Sequence, residues 1–245
     1  MSEAEDARIA EALIEAARRA GAEAADALVV SETSLGIGTA DRALEEAERS
    51  ESRDAGLRVL IGPRQACVAS SDLSEAAIEA MAARAVTIAK AAPEDPYCGL
   101  AGAEDLGDIA DVAALDLLDP GAAPEPAALE EMARAAEDAA LAVAGVAQVE
   151  QASASWGTDR VTIRATNGVG GSYARSSVGI AVSAIAGEGL GRERDAAVEF
   201  RRHRADLPTP GEVGRRAGER AVAALGPRRP PAGRYPVVFD ERVAA

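Results

Sequence analysis

Apolar positions along the chain switch between two periods. Ile9, Leu13, Ala16, Ala17 and Ala20 recur at helical spacing. Ser2 and Glu5 stand before them at capping-box spacing and Gly21 ends the stripe, so a first helix is expected up to Ala20. The period then shortens to two. Residues 27–30 open a strand, Gly36 and Gly38 punctuate, and residues 44–52 read as a polar strand or ribbon. Leu57, Val59 and Ile61 alternate with Arg58 and Leu60, Gly62-Pro63 turns the chain, and residues 66–70 form a further strand. Sequential strands joined by tight turns predict an antiparallel meander. Asp72 and Glu75 are placed to cap a second helix lined by Ile78, Met81, Ala85 and Ile88, which Pro93 closes.

The pattern then restarts. Residues 93–125 are rich in Pro, Gly, Asp and Ala and read as a linker, with a short turn around residues 115–118. Leu129, Met132, Ala136, Ala140 and Val143 make a third helical stripe, ending at Gly145. Strands are expected over residues 146–156, 160–166, 173–186 and 192–204. In the third of these, Val178, Ile180 and Val182 alternate with Gly179, Ala181 and Ser183, one bulky face and one small. Thr209-Pro210-Gly211-Glu212 starts a fourth helix, with a Thr cap, Pro first and Glu third. The expected fold is α+β: two units, residues 1–92 and 126–230, each an antiparallel meander flanked by helices. Residues 231–245 hold one more strand, Tyr235 to Asp240, read as the start of a C-terminal domain that this chain does not include.

Composition narrows the function. Hydrophobic residues are 48% of 245 but aromatics only 2%, so the core must be built of Ala, Val, Leu and Ile. A net charge of −15 repels phosphate backbones and argues against nucleic-acid partners. The most basic stretch, from Arg192 to Arg204, is interleaved with Glu193, Asp195 and Glu199 and reads as a solvated strand. Cys67 and Cys98 make no disulfide framework and suit a reducing compartment. The N-terminus lacks the plan of a signal peptide and no apolar run has membrane-spanning length, so the expected location is the cytoplasm.

Catalytic chemistry is sparse. The single histidine, His203, cannot supply a zinc site alone, and its arginine neighbours would disfavour the imidazolium that a general base forms. Residues 166–171 (TNGVGG) read as an Asn-Gly hairpin, not a phosphate loop, because no Lys-Ser/Thr and no helix follow. Glu45, Glu46, Glu48 and Glu51 read as a solvated face. No catalytic, cofactor-binding or metal-binding residue is therefore assigned.

Three stretches carry a resemblance. DAGLRVLIGPRQACVASSDLS (54–74), ATNGVGGSYARSSVGIAVSAIA (165–186) and GRYPVVFDERVAA (233–245) resemble, in order, the first, middle and C-terminal domains of the TldD/PmbA family, closest to its PmbA (TldE) branch. The resemblance implies a two-protein peptidase. In it, a TldD-type partner carries an HExxxH zinc site, and a PmbA-type subunit without that motif joins it to degrade or mature peptides. It implies no cofactor in this chain, zinc in the TldD-like partner, a peptide substrate and a homo- or hetero-oligomer. Two alternatives stay open: a regulatory binding module, as the family's description as a modulator of DNA gyrase implies, and a TldD-like metallopeptidase whose zinc site lies beyond Ala245.

Overall fold

A computed structural model of the chain describes residues 2–102 and 112–243. Helix α1, Glu3–Ala20, begins where Ser2 Oγ accepts from the Glu5 N–H at 3.3 Å. It ends where Gly21 turns left-handed (φ 100°), so that the Gly21 and Ala22 N–H groups cap the carbonyls of Arg18 and Ala17. Helix α2, Glu75–Ala91, is capped by Ser74, whose Oγ accepts from Ala77 N at 3.3 Å. Asp72 is one step removed from the expected role: its carboxylate accepts from Ser74 N and so turns the chain into the cap. Helix α3 spans Pro126–Leu141 and helix α4 spans Pro210–Ala223. The expected capping box of α4 is complete, with Thr209 and Glu212 each bonding the other's backbone. Such a cap contributes about 1 kcal/mol.

Six antiparallel strands make one sheet: β1 (Ala24–Ala40), β2 (Ala43–Ile61), β3 (Arg64–Ser70), β4 (Val146–Ala165), β5 (Gly170–Ala186) and β6 (Glu193–Arg201), ordered β3-β2-β1-β4-β5-β6. The fold is α+β with antiparallel strands and flanking helices, as the alternation predicts. Strands β1, β2, β4 and β5 are longer than the sequence pattern implies, while β6 stops at Arg201 short of the expected Arg204, which opens a turn instead. Gly36 and Gly38 lie inside β1, the polar ribbon and the apolar run are both β2, and residues 146–166 form one strand but for its turn. Glycine and charge weaken a strand pattern locally, yet ladder bonds on both sides of β1 and β4 hold the backbone extended through them.

The two units meet through β1 and β4, which pair from Asp26↔Ala165 to Thr39↔Ala152. Two-residue alternation puts Ala25, Ala27, Val29, Leu35 and Ile37 of β1 on one face. The α1–α2 pair covers the first end of that face in a cluster with Leu13, Leu57 and Met81, and the α3–α4 pair covers the other with Ile180, Val182 and Val213. The bulky side of β5 points at these helices, as its alternation predicts. On its small side, Phe200 lies over Gly179, where a Cβ would stand 2.2 Å from the ring.

Cross-unit contacts lock the halves together. The two-residue turn joining β1 to β2 puts Asp41 and Arg42 at φ 50° and 59°. Glu137 of α3, fully buried, accepts from the Arg42 N–H at 2.8 Å, and Arg134 donates to the Arg42 carbonyl at 2.7 Å. On the other side, Arg164 of β4 pairs with Glu11 of α1 at 3.5 Å.

The expected strand from Tyr235 to Asp240 does not form. These residues are exposed and outside regular structure, because they pair with no strand edge among the described residues. Arg242 ties the segment to β6 through Asp195 at 2.9 Å.

Candidate functional site

The helix pairs leave a gap at mid-sheet, and the floor of that gap is polar. Ser31 and Thr33 of β1, Thr158, Arg160 and Thr162 of β4, and Ser172, Ala174 and Ser176 of β5 share the helix-bearing face between the two apolar clusters. Ser31, Thr162 and Ser176 are buried there, Ser31 beneath Asp6 of α1, whereas Thr33, Thr158 and Arg160 are only half-buried. A cavity of about 280 Å³ lies on this floor against Thr33, Thr158 and Arg160, under Leu118. A second of about 490 Å³ adjoins it, sharing Arg160, Leu118 and Ala174.

Ion pairs flank the gap. Asp6 of α1 is fully buried; its Oδ1 accepts from Ser31 Oγ at 2.8 Å and pairs with Arg53 Nε at 2.9 Å. Glu5 holds the same guanidinium at 2.9 Å. These carboxylates keep Arg53 charged, with the Glu5 hydrogen bond the largest contribution.

The expected linker closes one wall. Leu117 O accepts from Ser176 N at 3.0 Å, and Ser176 Oγ accepts from Asp119 N at 2.7 Å and donates to Arg202 O at 2.8 Å. Asp119 in turn accepts from the N–H groups of Arg204 and Gly121, which hold its carboxyl below the usual range. His203 lies just past β6, beside the Arg204–Asp206 turn, with Nε2 2.9 Å from the Asp116 carbonyl. That hydrogen bond, joined by the charges of Asp116, Asp119 and Asp206, raises its pKa. The arginine neighbours in sequence point elsewhere, so the expected penalty on the imidazolium is reversed.

Other sequence candidates stay apart. The Asn-Gly hairpin forms between β4 and β5, with Gly168 at φ 90° and Asn167 Oδ1 accepting from Val169 N. Glu45, Glu46, Glu48 and Glu51 lie exposed along β2, where β3 no longer covers its edge. Charge on an open strand edge opposes edge-to-edge association. Arg194 and Arg201 pair with Glu150 and Glu199. Among the described residues, no group of three or more His, Cys, Asp or Glu is placed to hold a metal ion, and His203 is already engaged. The residues here therefore do not fit the zinc that the family resemblance brings. No described helix is long and apolar enough to cross a membrane.

A concavity of about 770 Å³ lies between α1 and α2, where Arg19 and Arg53 are already matched by Glu79 and Glu5. The sheet's opposite face carries no described helix. Leu28, Ile163, Tyr173, Val198 and Phe200 are exposed on it, beside the Arg58–Asp26 and Arg175–Asp159 pairs.

Sequence reasoning missed Arg160. Its signal was the run Thr158-x-Arg160-x-Thr162, three successive polar residues on the inward face of a strand whose inward positions before them, Ala152, Ala154 and Trp156, are apolar.

The chain has recognisable relatives. The model of PmbA/TldA metallopeptidase domain 1 matches residues 25–89, and that of the PmbA/TldA metallopeptidase central domain matches residues 119–225. The metalloprotease PmbA of Escherichia coli O157:H7 is 29% identical over 220 residues, covering 90% of this chain and 48% of that protein. A metalloprotease PmbA homolog of Haemophilus influenzae is 28% identical over 236 residues, 94% of this chain and 51% of that protein. The chain thus spans about half the length of these relatives. Among solved structures, a Bacteroides thetaiotaomicron protein described as a modulator of DNA gyrase superposes with a TM-score of 0.82 at 21% identity, over 94% of this chain and 52% of that one. TldE from Thermococcus kodakarensis gives 0.65 at 12%, over 87% and 47%. These structures share the fold, and the two domain matches, in chain order, carry the relationship further: this chain belongs to the TldD/PmbA family.

Proposed function

We propose that the chain is the N-terminal portion of a PmbA/TldE-like subunit that works with a TldD-type zinc metallopeptidase to process or degrade peptides in the cytoplasm. The observation that carries this reading is the succession of the two family domains, supported by likeness to proteins named PmbA along nearly the whole chain. In this reading, residues 1–92 and 126–230 are the first and middle domains, and residues 93–125 connect them along the chain. The chain contributes shape and binding surface and leaves bond cleavage to the partner.

A pull-down tests it. A purified TldD-type protein from the same source should retain the gene product that carries residues 1–245. Metal analysis of the 245-residue chain alone should find far less than one zinc per chain. Failure to associate removes the subunit reading, and stoichiometric zinc on the chain removes the non-catalytic one.

A further inference from the structure

Arginine on a sheet face needs a counter-charge. Arg160 lies in the mid-sheet gap, half-buried, and its guanidinium makes no hydrogen bond or ion pair among the described residues. The sheet's other arginines are matched: Arg53 with Asp6, Arg58 with Asp26, Arg175 with Asp159. Glu3 and Asp116 also line the larger cavity, but neither is paired with Arg160, and Asp116 is held by His203. Thr33 and Thr158 face each other across β1 and β4 next to it, and their hydroxyls are likewise unbonded among the described residues. A half-buried cation flanked by idle hydroxyls is costly unless an anion completes it.

The backbone nearby is also incomplete. Strand β6 ends at Arg201, opposite Val178, while β5 continues back to Gly170. Leu117 takes the Ser176 N–H on that outer edge. By alternation Ala174 and Ser172 present their backbone groups to the same side, and no described strand pairs with them there. Arg160 stands opposite Ala174 in register, and the larger cavity joins the two. The gap therefore opens onto a strand edge that has no strand partner among the described residues.

We propose that this corner binds the carboxylate of an extended peptide: the peptide adds to β5 at Ser172 and Ala174, and its carboxylate enters the gap to meet Arg160, Thr33 and Thr158. A planar guanidinium matches a carboxylate in bidentate geometry. One cation in a strongly acidic chain suits a single negative charge better than a dianionic phosphate. The proposal takes its ligand class from the peptide reading above, but the site is tested without any cleavage.

The test is fluorescence anisotropy on the 245-residue chain. The probe is an N-terminally labelled hexapeptide of Ala, Val and Thr, supplied as the free acid, as the C-terminal amide, and as an amide with one Asp at its penultimate position. The free acid should bind about tenfold or more tighter than the plain amide. Arg160→Gln should erase that difference while melting no lower than the parent, since it removes an unmatched cation. Ala174→Pro, which deletes an outward N–H on an edge, should weaken acid and amide alike. The Asp-bearing amide reports whether a side-chain carboxylate serves as well as a chain terminus; either answer upholds the site. Equal binding of acid and amide, an acid preference that survives Arg160→Gln, or no saturable binding up to about 1 mM overturns it. Binding by a chain whose gene product supports no cleavage with a TldD-type protein would remove the peptidase reading and leave this site standing.

Discussion

Single side chains hold the gap open between the helix pairs. Asp6 is the most exposed to challenge, because its carboxylate is buried and serves both Ser31 and Arg53. Asp6→Ala strands Arg53 beside the lone Glu5 and leaves the Ser31 hydroxyl unsatisfied. It should cost about 3 kcal/mol in denaturant unfolding, and a loss under about 1 kcal/mol would show that the pair is dispensable. His203 sets a pH dependence. Its raised pKa means that the folded state favours the imidazolium held by Asp116. That contribution is complete below the ordinary value of about 6.5 and is lost as pH rises through the raised one. An NMR titration of the imidazole should give a midpoint above about 6.5, and a midpoint at or below it would contradict the geometry. These roles were not legible in the sequence. His203 sits among arginines in the chain but among aspartates in space, and Asp6 reads as one more acidic residue in a first helical turn.

At the scale of elements, caps and periodicities were legible and extents were not. Ser2, Gly21 and the Thr209–Glu212 box do locally what their spacing predicts, because capping is decided within one turn of chain. Strand lengths depend on neighbours distant in sequence, so β1 runs through two glycines and β2 through a polar ribbon that look like breaks. The segment from Tyr235 to Asp240 shows the converse: an apolar alternation that finds no ladder stays irregular. Helix contact in an aromatic-poor core depends on small residues. At Gly214 of α4 a Cβ would stand 1.9 Å from the Ala136 carbonyl of α3, so the two backbones meet directly. Gly214→Ala should push the helices apart and destabilise by about 2 kcal/mol or more, despite its better helix propensity. A thermal midpoint equal to or above the parent's would mean that α3 and α4 pack less closely than described. Gly211, with open space around it, is the control, and its change to Ala should be tolerated.

Across the whole molecule, each half has its own apolar cluster, a third joins Ile37 of β1 to Leu129 and Ala133 of α3, and the halves share one sheet and exchange supports, α3 bracing the β1–β2 turn and α1 reaching β4. The sequence pattern showed the repetition of helix, strands and helix. It could not show the joint, because the β1–β4 pairing links residues on opposite sides of a linker. The family was legible from three short stretches, and two of them fall largely inside the matched domains. In the proposed function a TldD-type partner supplies bond cleavage, and one reconstitution tests that proposal most directly. The gene product carrying residues 1–245 is mixed with a purified TldD-type protein, and hydrolysis of an unstructured peptide is followed by mass spectrometry. Neither protein alone should cleave appreciably, and the mixture should. Equal cleavage by the TldD-type protein alone, or cleavage by this gene product alone, would contradict it.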